Sequence, residues 1–263
     1  MNRRTIPLAV ILASLVLLFA ACSKKEEAPS EQPAATTTTA LKPVDQSTVG
    51  EITGKVSFQG DKPKLVRIMM DQDPVCVQKH GGKPVYAEDA EVNSNGTLPN
   101  VFVYVKSGAD DYQFTVPSDP VVLDQDGCMY KPHVLGALVG QTLKVVSSDA
   151  TTHNIHPMPK DNREWNMSQA PGAAPIEQKF SREEIMIPVK CNQHPWMRAY
   201  VGVVKNPLFA VTGSDGTFTI KGVPPGDYTI GAWSAVGGGQ TQEQKVTVGP
   251  KETKSADFTF KAS

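Results

Sequence analysis

Residues 209–230 read Phe209-Ala-Val-Thr-Gly-Ser-Asp-Gly-Thr-Phe-Thr-Ile-Lys-Gly-Val-Pro-Pro-Gly-Asp-Tyr-Thr-Ile. Two turn signals, Asp215-Gly216 and Pro225-Gly226, bracket a run in which Phe218 and Ile220 alternate with polar residues. Glycine supplies the positive φ that tight turns need, and period-two alternation places every second side chain on one face of a strand. The same pattern recurs outward from this stretch. Ile52, Val56 and Phe58, then Val101, Val103 and Val105, then Phe258 and Phe260 form further even-spaced sets. Gly60-Asp61, Asn95-Gly96 and Asp126-Gly127 punctuate them. Beyond residue 50 no apolar i, i+3, i+4, i+7 pattern lasts three turns, and no internal repeat is found. Many short strands with frequent turns predict an all-β protein built of sandwiches or barrels.

The chain has 263 residues, of which 40% are hydrophobic, with 21 Gly and 21 Pro. That composition excludes a wholly disordered chain. Net charge is −1, and no basic block exceeds two residues, which argues against a nucleic-acid partner. Asn2-Arg3-Arg4 followed by a mostly apolar run from Ile6 to Ala21 reads as a secretory signal, residues 1–21, rather than a membrane span. Phe19-Ala20-Ala21-Cys22 resembles a bacterial lipoprotein cleavage box, with Leu18 one position early. The resemblance implies a lipidated Cys22 and an exported protein, periplasmic or at the cell surface, anchored to a bacterial membrane by lipid. An ordinary signal peptide with a chance cysteine is the plainer alternative. Residues 22–48 hold only Leu41 and Val44 as large apolar side chains, so they read as a flexible linker. Fully extended, this linker would reach at most roughly 86 Å.

The stretch opening at Phe209 resembles the carboxypeptidase regulatory-like (transthyretin-like) β-sandwich family: an aspartyl-glycine turn, a strand, a Pro-Pro-Gly turn and a second strand through Tyr228. The family's first strand usually reads like Gly50-Glu-Ile-Thr-Gly-Lys-Val-Ser-Phe, and a further one like Val101 to Val105. Both lie far upstream. The resemblance therefore implies a discontinuous sandwich, residues 49–110 and 206–263, with a second domain, 111–205, inserted at a surface turn.

Within that insert stand Thr152-His153-Asn154-Ile155-His156 and Cys191-Asn192-Gln193-His194-Pro195-Trp196-Met197. A thiolate, an imidazole and a thioether within seven residues, joined by one distant imidazole, form a blue-copper ligand set. His153, Cys191 and His194 would be the strong ligands and Met197 the weak axial one. Zinc also accepts one sulfur and two nitrogens, although the thioether favours copper. The insert resembles the cupredoxins, and its Cys-x-x-His-Pro-aromatic-Met-Arg loop is most similar to the amicyanin group. That implies a Greek-key sandwich holding one copper ion and passing single electrons. The approach Glu183 to Lys190 departs from the family pattern, and Pro188 in it predicts an edge strand or a bulge.

Setting aside Cys22 and Cys191 leaves Cys76 and Cys128, which an oxidising compartment would join in a disulfide; two free buried thiols are the alternative. His156 reads as structural, His133 as lying on a strand near the site, and His80 as solvated. Nothing resembles a catalytic motif, so an enzyme is not expected. His194 should bring its imidazole edge near the surface, ringed by Pro195, Trp196 and Met158 as a docking collar for a redox protein partner. The expected function is a membrane-tethered mononuclear copper protein transferring electrons. The alternatives are copper storage or delivery through a labile, exposed site, and a surface binding or adhesion module with a vacant cupredoxin fold.

Overall fold

The computed structural model describes residues 40–262. The signal segment, Cys22 and most of the expected linker lie outside those residues. The regular structure of the described residues is almost all strand; their one α-helix is the six residues Pro74–Lys79.

Strands from both ends of the chain share one pair of sheets. Gly50–Gln59 pairs antiparallel with Thr217–Val223 and parallel with Thr253–Ser255 and Phe258–Lys261. Ile52 stands opposite Ile220, and Phe218 opposite Gly54. The facing sheet runs Phe209–Val211, Phe102–Ser107, Gly226–Ser234, Gln240–Val248. Ile52, Val56, Val103, Val105, Phe218, Ile220 and Phe260 point between the two sheets and are buried there. The even spacing seen in the sequence is thus the inward face of each strand.

A second pair of sheets comes from the middle of the chain. One runs Ile176–Lys179, Thr142–Ser147, Val121–Gln125, Tyr130–Lys131. The other runs Met167–Gln169, His153–Pro157, Glu184–Lys190, Arg198–Val204, Val134–Leu138. Leu123, Leu143, Val145, Ile155, Ile187 and Val201 fill the space between them. Arg198–Val204 pairs in parallel with Val134–Leu138, and Thr142–Ser147 in parallel with Val121–Gln125, so crossovers join hairpins such as Glu184–Lys190 with Arg198–Val204 in building this body.

The two bodies meet on a third cluster containing Phe102, Tyr104, Val134, Leu138, Met186, Val204 and Trp233. Gly136 and Gly202 stand opposite each other in the register of that seam. A Cβ built on Gly136 would lie 2.2 Å from the Phe209 ring, and one on Gly202 2.6 Å from the Phe102 ring. Two missing side chains let the aromatic rings seat directly on the neighbouring sheet.

Two sequence expectations are corrected here, and a third, edge strand or bulge at the approach to Cys191, is met only in its second form. The segment from Ile68 to Ala87, placed with residues 49–110 of the first sandwich, packs on the second core: Ile68, Met70 and Cys76 are buried there, with Val85 and Ala87 against them. It carries no sustained period, so alternation could not assign it. The linker does not extend to residue 48. Lys42–Pro43 pairs in parallel with Tyr112–Gln113, and the Lys251 N–H donates to the Thr48 carbonyl at 2.9 Å. Backbone groups, invisible to composition, hold that stretch. Pro188 lies inside the five-stranded sheet rather than at an edge, opposite Tyr200. A bulge falls between Glu184 and Ile187, where Met186 adopts φ 61°.

Candidate metal centre

His153 opens an inner strand, and Cys191 follows directly on the end of Glu184–Lys190, its antiparallel neighbour. The register sets His156 opposite Lys190, so the start of one strand and the end of the other lie side by side. Cys191 then enters a tight loop that closes on itself: the Met197 N–H donates to the His194 carbonyl at 2.9 Å, and the Cys191 N–H to the Met197 carbonyl at 3.3 Å. The loop returns into Arg198–Val204. Donor atoms of His153, Cys191 and His194 lie within 4.8 Å of one another, and all three residues are buried. Met197 is fully buried on the same loop.

Orientation of the rings follows from two carboxylates. His153 Nε2 lies 3.0 Å from Asp149 Oδ2, and His194 Nε2 lies 3.0 Å from Asp73 Oδ2. An ionised carboxylate can only accept, so each Nε2 carries the hydrogen and each Nδ1 faces inward. The two Nδ1 atoms stand 2.9 Å apart, with Cys191 Sγ 3.7 Å from that of His194. Two facing lone pairs at that distance repel unless a positive charge lies between them. A proton can fill that place, and the surroundings of His153 favour one. Burial would lower the His153 pKa, but its bond to Asp149 and the neighbouring Cys191 raise it to about 9. Asp149 is correspondingly held at about 2, its bonds outweighing the desolvation that would raise it. A metal cation would take the place of that proton, so the donor set fits one.

Cys191 is prepared as a thiolate. Burial opposes ionisation, yet His153 and backbone N–H donors lower its pKa to about 7. The Asn154 N–H at 3.5 Å and the His194 N–H at 3.3 Å point at the sulfur. Asn154 Oδ1 also accepts the Asn192 N–H at 2.5 Å, tying the start of the loop to the strand that carries His153.

The other histidines stand apart from this cluster. His156 turns to Glu164 at 2.5 Å and Asn192 at 3.2 Å. His133 is buried, with Nδ1 3.0 Å from the Arg198 carbonyl and Nε2 3.1 Å from Asp89. His80, expected in solvent, binds the Gly127 carbonyl at 2.6 Å. Cys76 and Cys128 form a disulfide.

One part of the expected docking collar is corrected, the exposed edge of His194. His194 is only 5% exposed, because Asp73 covers the edge expected to face outward. Trp196 is half-buried, its ring 5.1 Å from that of His194 and its Nε1–H donating to the Cys128 carbonyl at 3.0 Å. Pro195 and Trp196 line a hollow of about 340 Å³ with Val66 and Met69, both largely exposed. Met158 lines a second groove with Pro188, Asn192 and Tyr200, which Pro195 also borders. Sequence reasoning missed Asp73, Asp149 and the role of Asn154. Asp149 stands four residues before His153, a spacing that could have drawn notice. Asp73, 121 residues from His194, left no signal.

Residues 193–261 match the family model of the carboxypeptidase regulatory-like domain. The match starts inside the metal loop and takes in Arg198–Val204, a strand of the five-stranded sheet. No curated protein matches the chain. Similar solved structures include a copper-containing nitrite reductase (NirK) from Thermus scotoductus SA-01, at 19% identity and TM-score 0.31 over 38% of this chain. That match spans 25% of the reductase chain. A purple cupredoxin from Nitrosopumilus maritimus matches at 24% identity and TM-score 0.28, over 32% of this chain and 99% of its own. A reduced, singly substituted amicyanin matches at 23% identity and TM-score 0.29, over 34% of this chain and 85% of its own.

Proposed function

We propose that this protein is a single-copper electron carrier, tethered to a bacterial membrane through Cys22 and exchanging electrons with a redox protein partner. One observation carries the reading: two imidazole Nδ1 atoms and a cysteine sulfur converge in a buried site, with both Nε2 atoms turned away onto carboxylates. His153, Cys191 and His194 would hold the ion, with Met197 as the fourth, weaker ligand. Copper would supply a one-electron couple that the side chains alone lack.

The chain's own residues do the rest. Asp149 and Asp73 fix the two rings, so the donor set is arranged before any ion arrives. N–H groups of Asn154 and His194 stabilise the sulfur's negative charge. Burial excludes water and keeps the donors from rearranging. Storage or delivery called for a labile, exposed site, and the cluster here is enclosed. A vacant binding module has no use for converging, carboxylate-oriented donors.

The test is optical. Cu(II) added to the metal-free protein should give an intense thiolate-to-copper charge-transfer band. Cys191→Ser should abolish it. Met197→Gln should keep the colour and lower the reduction potential, because a harder axial donor favours Cu(II). A colourless Cu(II) complex of the unaltered protein overturns the reading.

A further inference from the structure

The disulfide lies against the candidate site: its two sulfurs and a ring nitrogen of His194 fall within 4.8 Å of one another. Each half-cystine also touches the carboxylate that orients one histidine. The Cys76 N–H points at Asp73 Oδ1 at 3.4 Å, while Asp73 Oδ2 receives His194 Nε2–H at 3.0 Å. The Cys128 N–H donates to Asp149 Oδ2 at 2.7 Å, and that same oxygen receives His153 Nε2–H at 3.0 Å. The Cys128 carbonyl holds Trp196 as well. One covalent link therefore joins the outer supports of both histidines.

We propose that Asp73 is the positioning residue for His194, and that the Cys76–Cys128 disulfide braces Asp73 and Asp149 as a single outer frame for the metal site. Asp73 divides its work between its two oxygens. Oδ1 accepts from the Val75 N–H at 2.9 Å and from Cys76, capping the helix Pro74–Lys79. Oδ2 accepts from Thr151 Oγ1 at 2.8 Å and from His194. Cys76 sits on that helix, so the disulfide pins the cap and the cap pins the ring. The segment is foreign to the sheet that carries the ligands, and without the link only side-chain contacts would hold it over His194.

The inference rests on the copper reading, and its test separates the two. Asn and Ser cap helices about as well as Asp, so Asp73→Asn and Asp73→Ser both preserve the helix. Their effects on His194 differ. The side-chain amide introduced by Asp73→Asn would offer N–H to Nε2, favouring the tautomer with hydrogen on Nδ1, the nitrogen needed for the metal. A serine leaves Nε2 to water. Ring nitrogen NMR of the metal-free protein should show Nε2–H at His194 in the unaltered chain and Nδ1–H in Asp73→Asn. Copper affinity should fall about 10–100-fold in Asp73→Asn and less in Asp73→Ser. With one carboxylate gone, His194 becomes a weaker donor and the reduction potential should rise in both. The paired Cys76→Ser/Cys128→Ser variant should lose affinity over the same range and exchange backbone hydrogens faster at residues 191–198. A merely capping Asp73 predicts no difference among Asp, Asn and Ser. Unchanged tautomer and affinity in Asp73→Asn would overturn the proposal, whether or not the disulfide-free variant folds. If the unaltered protein binds no copper, the copper reading fails, and the tautomer measurement still decides the role of Asp73.

Discussion

At the scale of single residues, the chemistry of this molecule is set by which proton each buried histidine keeps. His153 and His194 each direct Nε2–H to a carboxylate on the outer side and turn Nδ1 to the inner side. His133 shows the contrasting case, a histidine set between carboxylates and used for anchorage. It is buried between Asp89 at 3.1 Å and Glu88 at 3.7 Å, with the Tyr200 ring edge-on and Arg198 beyond Asp89. Burial would lower its pKa, but the adjoining carboxylates of Asp89 and Glu88 hold it above 6.5. Stabilisation from this raised pKa is complete below about pH 6.5 and is lost as pH rises through the folded value. Asp89, held low, keeps its share until strong acid. His133→Gln should therefore lower the melting temperature clearly at about pH 6 and distinctly less at about pH 9. An equal loss at both values, in thermal melts of the two proteins, would show that the ring works by packing alone.

Among elements, the seam between the two bodies depends on what two strands leave out. Gly136 and Gly202 face each other where Phe102 and Phe209 need room. Gly136→Ala should destabilise by about 1–3 kcal/mol in chemical denaturation, because a ring and a packed sheet must move. Gly202→Ala should cost less, since one of its near neighbours is the flexible end of Met186. The segment from Val66 to Ala90 is held at two points, by the disulfide at Cys76 and by His133 on Asp89. Three residues before the first of these fixings it lends Asp73 to the site.

For the whole molecule, the disulfide closes a separation of 52 residues, and on the chain-entropy account its loss should cost roughly 4 kcal/mol. Denaturation of Cys76→Ser/Cys128→Ser checks this, and a loss well under half that size would mean the unlinked chain keeps structure here. A fragment spanning residues 111–205 alone should be less stable than one spanning 66–205. The shorter piece leaves Cys128 without its mate and uncovers the core surface beneath Ile68 and Met70. Melting both fragments decides it; equal midpoints would show that the segment only rests on the core.

What was legible in the chain itself is local. Alternation at Phe218 and Ile220, turn pairs such as Asp215-Gly216, and the tight loop from Cys191 to Met197 express interactions a few residues long, so an all-β body and a candidate ligand set could be read directly. His153 could be named because its residue type matched a need stated elsewhere in the chain. The course of residues 66–90 could not be read, since it has no period and its place depends on a disulfide and on a core made by other strands. Asp73 was equally hidden. A carboxylate that caps a six-residue helix and also steadies a histidine 121 positions away leaves no mark in sequence spacing. Tertiary structure alone decided that His194 is covered rather than exposed, because hydrogen bonds and burial join atoms by distance in space.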